Sequence, residues 1–169
     1  MKISKQDEYG LRVLLRIARA KEKQGLSIPQ LSELEGLSHP YVGKITRALR
    51  LSGLIKSTRG QKGGYILARA AAKISIKEAI DALGGQLFYN GFCGSHAGQL
   101  KLCTNSVDCS VRSLWKVLQY AVDRLFENIM LQDLIGEEED AAHALEKQLD
   151  RVFLPLKVLT QNASQTQNA

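Results

Sequence analysis

The hydrophobic pattern of this chain switches from helical to strand-like at Gly53, directly after two short helices, and few folds accommodate that order. Ser27 to Glu35 reads as one short helix, with Ile28, Leu31 and Leu34 inward and Gly36 ending it. Ser38 opens a second, in which Val42, Ile45 and Leu49 make an apolar stripe while Tyr41, Lys44 and Arg47 face outward. Pro40 suits the first turn of that helix, where its missing N–H would have no partner. Past Gly53, Leu54 to Thr58 and Tyr65 to Ala68 read as two strands around the turn Arg59-Gly60-Gln61-Lys62-Gly63-Gly64, whose glycines permit a tight hairpin. Two short helices joined by Gly36-Leu37 are a helix-turn-helix, and a basic hairpin straight after it is a wing.

The flanks extend this unit. Ser4 caps a first helix, with Asp7 completing a capping-box pattern and Leu11, Leu14, Leu15 and Ala18 giving one buried stripe. Arg12, Arg16 and Arg19 fall on another face, as solvated or as phosphate-facing charges. Ser75 to Leu83 is a further short helix closed by Gly84-Gly85. Ser106 or Asp108 is expected to cap a long helix running to about Leu134, with Val111, Leu114, Trp115, Leu118, Ala121, Val122, Leu125 and Ile129 as its stripe. Such a helix appended to a small domain is most simply a dimer interface, the alternative being packing within its own chain. Glu137 to Asp140 begins a last helix, which Pro155 is expected to break or bend, and Gln161 to Ala169 reads as a disordered tail. The expected architecture is mainly α with a small β-hairpin. A winged helix-turn-helix domain spans 1–85, a cysteine-containing loop 86–110, and the long helix with the C-terminal helix 111–160, before the tail at 161–169.

Lys and Arg number 23 against 17 Asp and Glu, a net +6 that is consistent with an anionic partner without identifying one. No run approaches the roughly 20 apolar residues of a membrane span, and the N-terminal residues lack the apolar centre of a signal peptide. A cytoplasmic protein is therefore expected. In a reducing compartment the three cysteines, Cys93, Cys103 and Cys109, point to metal binding or redox chemistry more than to a structural disulfide. Thiolates are soft donors that hold iron–sulphur clusters or zinc. An enzyme with an activated cysteine is not expected: His39 lies in the helix-turn-helix, His143 in the last helix, and no phosphate-binding fingerprint surrounds Gly63-Gly64.

Several segments together resemble the Rrf-type family of bacterial winged-helix regulators. They are Met1-Lys2-Ile3-Ser4, Ser38-His39-Pro40-Tyr41, Leu49 to Ile55, the wing Arg59 to Tyr65, and the three-cysteine loop with its long helix. The resemblance runs from Met1 to about Leu134. It implies a homodimer on a near-palindromic double-stranded DNA operator, with an iron–sulphur cluster on Cys93, Cys103 and Cys109 reporting redox, iron–sulphur or nitric-oxide status. The spacing Cys-x9-Cys-x5-Cys departs from the most compact loops of that family in its longer first gap, which bears on cluster type. A [2Fe-2S] cluster is preferred and a [4Fe-4S] cluster is the alternative.

Three thiolates leave one position for a fourth donor. The resemblance places Glu8 there, from the first helix of the partner subunit, and His96 is the local rival. For DNA, Lys44 and Arg47 are candidates for base edges or phosphates and Ser38 and Tyr41 for phosphates. Arg59 is the candidate for the minor groove, with Lys62 adding charge at the wing tip. The competing readings keep the fold and drop the cluster: a thiol-based sensor, or a zinc site of three cysteines and His96.

Overall fold

The computed structural model describes residues 3–20, 24–58, 63–86, 88–89, 91–97, 99 and 103–165, with side chains in the last helix described as far as 152. Helix α1 (Lys5–Arg19) starts at a capping box in which the Ser4 hydroxyl accepts from Asp7 N and the Asp7 carboxylate accepts from Ser4 N. Helix α2 (Ile28–Glu35) ends at Gly36, whose φ of 64° is left-handed, so the chain turns sharply into α3 (His39–Leu51). Strands β1 (Ile55–Ser57) and β2 (Tyr65–Leu67) pair antiparallel, Lys56 opposite Ile66. Leu26 adds a bridge to Tyr65 at the turn end of the hairpin, where the Thr58 hydroxyl accepts from Gly64 N at 2.8 Å. The fold is thus mainly α with one small hairpin, a winged helix-turn-helix.

Val13, Leu14 and Ile17 of α1, Leu31 of α2 and Val42, Ile45 and Leu49 of α3 form the centre of the core. Each such side chain contributes about 1.5–3 kcal/mol relative to exposure. Helix α4 (Ile76–Leu83), capped by Ser75 and Glu78, adds Ile76, Ala79 and Leu83. Gly10 lets α4 come close: a Cβ there would stand 2.4 Å from the Leu83 methyls. Leu34, expected inward, is 48% exposed. Ser32 and Glu35 are the polar residues that α2 buries beside Leu31, because Glu35 is drawn inward by Arg12 and Arg16.

A single-turn helix, α5 (Phe92–Ser95), sits inside the segment expected to be a cysteine-containing loop. The long helix α6 is Ser110–Asn128, and its cap is Cys109 rather than Ser106 or Asp108. It stops before Leu134 because the backbone beyond it is taken up elsewhere. Ile76 N donates to Ile129 O at 2.9 Å and Leu131 N to Ile74 O at 2.8 Å, so residues 129–131 run extended alongside the start of α4. The expected stripe divides accordingly. Val111, Leu114, Trp115 and Leu118 are exposed, whereas Leu125 packs on the core and Ile129 is buried in it.

Helix α7 (Glu138–Gln165) continues through Pro155 instead of breaking there, since a proline removes one backbone donor but leaves the neighbouring hydrogen bonds available. Residues 161–165, expected in a disordered tail, belong to this helix, and 166–169 lie outside the described residues. Among the described residues no helix is long and apolar enough to cross a membrane.

Candidate functional site

Two sites emerge: the outer face of α3 and the segment that leads into α6. On α3, Ser38, Lys44 and Arg47 are exposed, and neither cation makes an ion pair among the described residues. Tyr41 is half-buried instead of free, its ring edge-on to Tyr9 of α1 at 6.0 Å and 87°. Its aromatic body therefore fixes α3 on α1. Arg59 and Lys62 lie outside the described residues.

The α1 arginines are already engaged. Arg12 Nε donates to Glu35 Oε2 at 2.7 Å and Arg16 Nε to Oε1 at 2.5 Å, while Arg12 also lies 5.6 Å over the Tyr9 ring. Arg19 donates to the carbonyl oxygens of Leu134 and Gly136 at 3.0 and 2.8 Å. These contacts assign all three a structural role, which the spacing along α1 had left open.

Cys93, Cys103 and Cys109 are free thiols, each half-buried, and all three line one cavity of about 100 Å³ together with His96. Phe92 and Trp115 wall it. Cys93 is placed by α5 and Cys109 by the start of α6, where its Sγ accepts from Arg112 N at 3.3 Å. The Arg112 guanidinium donates to Asn105 O and Ser106 O at 3.0 and 2.8 Å and so ties the segment after Cys103 to α6. Glu8 does not line this cavity. It is exposed and borders a separate one of about 280 Å³ between α1, the end of α4 and α6. Among the described residues no three His, Cys, Asp or Glu side chains converge tightly enough for a single metal ion. As a donor set, three soft thiols and an imidazole around one cavity fit an iron–sulphur cluster, whose ligands stand further apart than those of one ion.

A polar relay that sequence reading missed ties this region to the winged domain. Phe88 N donates to Gln119 Oε1, Gln119 Nε2 donates to Asp123 Oδ1 at 2.7 Å, and Asp123 Oδ1 lies 3.5 Å from Lys77 Nζ, which also pairs with Asp81. Burial alone would push the Lys77 ammonium down, but the hydrogen bond and charge of Asp81, with Asp123 adding to them, hold it above its ordinary range. Only the Lys77–Asp81 spacing carried any signal in the sequence.

A family model described as Rrf2, iron-dependent transcriptional regulator, matches residues 3–137. Over 139 residues the chain is 27% identical to the HTH-type transcriptional regulator IscR of Klebsiella pneumoniae strain 342, covering 82% of each. Among solved structures, IscR of T. potens superposes with a TM-score of 0.61 at 27% identity, covering 80% of this chain and 86% of that one. CymR (YrzC), the global cysteine regulator of B. subtilis, gives 0.62 at 26% identity, covering 80% and 96%. These relatives are regulators of transcription and not enzymes.

Proposed function

Because the chain belongs to the Rrf2 family of transcriptional regulators, we propose that it is a cytoplasmic homodimer that binds a near-palindromic operator according to the state of an iron–sulphur cluster. The observation that carries this reading is the convergence of Cys93, Cys103 and Cys109 on one cavity at the head of α6. These three residues would hold the cluster, [2Fe-2S] in preference to [4Fe-4S], and the group supplies a centre responsive to oxidant, nitric oxide or iron–sulphur supply.

The chain's own residues do the rest. Lys44 and Arg47 meet base edges or phosphates, Ser38 meets phosphate, and Arg59 and Lys62 carry the wing contact. The exposed half of the α6 stripe, Val111, Leu114, Trp115 and Leu118, covers the same face of a second copy. That contact sets the spacing of the two α3 helices, which must match half-sites about 34 Å apart. Arg112 pins the thiol segment to α6, and the Gln119–Asp123–Lys77 relay pins both to α4. A change at the thiols thereby alters the seat of α6 and the distance between recognition helices.

The test is operator binding titrated against cluster loading, with iron and acid-labile sulphide counted on the same anaerobically purified sample. Affinity that changes with loading supports the sensor, and equal affinity for loaded and unloaded protein removes it. Colourless protein that stays iron-free after reconstitution transfers the sensing to the thiols themselves. That second reading is favoured by three unpaired cysteines and by the likeness to CymR.

A further inference from the structure

We propose that His96, through Nε2, is the non-thiolate ligand of the thiol cavity, a proposal that rests on the cluster reading above. The Phe92 carbonyl oxygen can only accept, so its 2.8 Å contact with His96 Nδ1 places the ring proton on Nδ1. Ser95 Oγ donates to the same carbonyl at 2.9 Å and accepts from Tyr89 Oη–H at 2.8 Å, so its 3.0 Å contact with Nδ1 is the second branch of a shared N–H donor. The opposite tautomer would set the Nδ1 lone pair against the carbonyl lone pairs. In the neutral ring, the form that binds a metal, the lone pair is therefore on Nε2, and a donor Nδ1 anchored on a backbone carbonyl is the arrangement that orients metal-binding histidines.

Position agrees with protonation. The imidazole stacks on Phe92 at 4.1 Å and 17°, which fixes the plane of the ring before any ligand arrives. His96 follows Cys93 by one turn at the end of α5, so both side chains reach the same side. It lines the cavity of the three thiols, whereas Glu8 of the same chain lines a different one, so a Glu8 carboxylate at this cavity has to come from the partner subunit. Neither of the two other histidines lines this cavity: His39 opens α3 and His143 lies on α7. The long gap between Cys93 and Cys103 thus carries a ligand of its own.

The experiment uses full-length protein grown with ¹⁵N-histidine, reconstituted with iron and sulphide, reduced to its paramagnetic state and read by pulsed EPR. A directly bonded nitrogen coupling is expected in the wild-type chain and in Glu8→Ala, and its loss in His96→Ala and His96→Cys. His96→Cys is expected to keep wild-type iron and sulphide content with a lowered midpoint potential, since a thiolate replaces an imidazole. Its retained cluster separates ligation from folding. A loaded wild-type cluster with no histidine nitrogen coupling, or a coupling that survives His96→Ala, overturns the assignment and leaves the cluster reading standing. A spectrum altered by Glu8→Ala alone gives the position to the carboxylate. Wild-type protein that takes up neither iron nor sulphide brings down the cluster reading itself, and this assignment with it.

Discussion

The backbone N–H of Phe88 donates to the Gln119 side-chain oxygen at 2.9 Å, joining the start of the thiol segment to the middle of α6. Phe88 also packs on Phe92, ring centroids 5.1 Å apart, and Phe92 directly precedes Cys93. A displacement at Cys93 therefore reaches α6 through one aromatic contact and one hydrogen bond. Replacing Gln119 with Leu keeps the helix and removes the acceptor. The expected result is unchanged iron uptake, while the ratio of operator affinities for loaded and unloaded protein falls by about 2- to 30-fold. Fluorescence anisotropy on both forms measures that ratio, and an unaltered ratio would show that the signal travels by another route.

At its far end the relay is pH-sensitive in a defined direction. Lys77 is held above its ordinary range in the folded chain, chiefly by Asp81 working against burial. Its contribution is then present in full below the unfolded lysine value of about 10.5 and is lost as pH rises through the higher folded value. Urea unfolding of wild type and Lys77→Met should show a stability gap that is constant from pH 7 to 9 and narrows above pH ~10.5. A gap that widened with pH would contradict the pairing.

The clasp between α1 and α2 is asymmetric. Glu35 has 2% of its side chain exposed, against 45% for Arg12 and 43% for Arg16. Removing the carboxylate frees two cations that water can solvate, so Glu35→Ala should cost about 1–3 kcal/mol. Removing both cations strands a buried carboxylate, so Arg12→Ala with Arg16→Ala should cost more, about 3–5 kcal/mol. Denaturant midpoints order the two variants, and the reverse order would mean that the arginines, not the glutamate, bear the burial.

What the sequence disclosed and what it hid separate by range. The Ser4–Asp7 box and the Val42, Ile45 and Leu49 stripe are local patterns, and each forms as read. Glu35 gave no sign of burial because its partners lie 19 and 23 residues away on another helix. The end of α6 was hidden for the same reason, since the strand-like pairing of Ile129 and Leu131 is with Ile74 and Ile76. At the thiols, the sequence showed three cysteines and two rival donors. Only the fold shows that His96 lines the thiol cavity of its own chain, whereas Glu8 of that same chain lines another. The cap on α6 misled because Asp and Ser are the usual caps, whereas here a thiol takes the position.

That cap gives Cys109 two separable duties. Its Sγ accepts from Arg112 N, and the residue lines the cavity as a candidate ligand. Serine keeps an acceptor at the cap and is the stronger capping residue, while alanine loses the hydrogen bond at a cost of about 1 kcal/mol. Metal-free Cys109→Ser should therefore melt at or above the wild-type temperature and Cys109→Ala below it. Both should lose most of their iron and sulphide, because neither offers a thiolate. Calorimetry on the metal-free forms, with iron and sulphide analysis after reconstitution, reads the two duties independently. Equal destabilisation by serine and alanine would remove the capping role, and wild-type iron in Cys109→Ser would remove Cys109 from the ligand set.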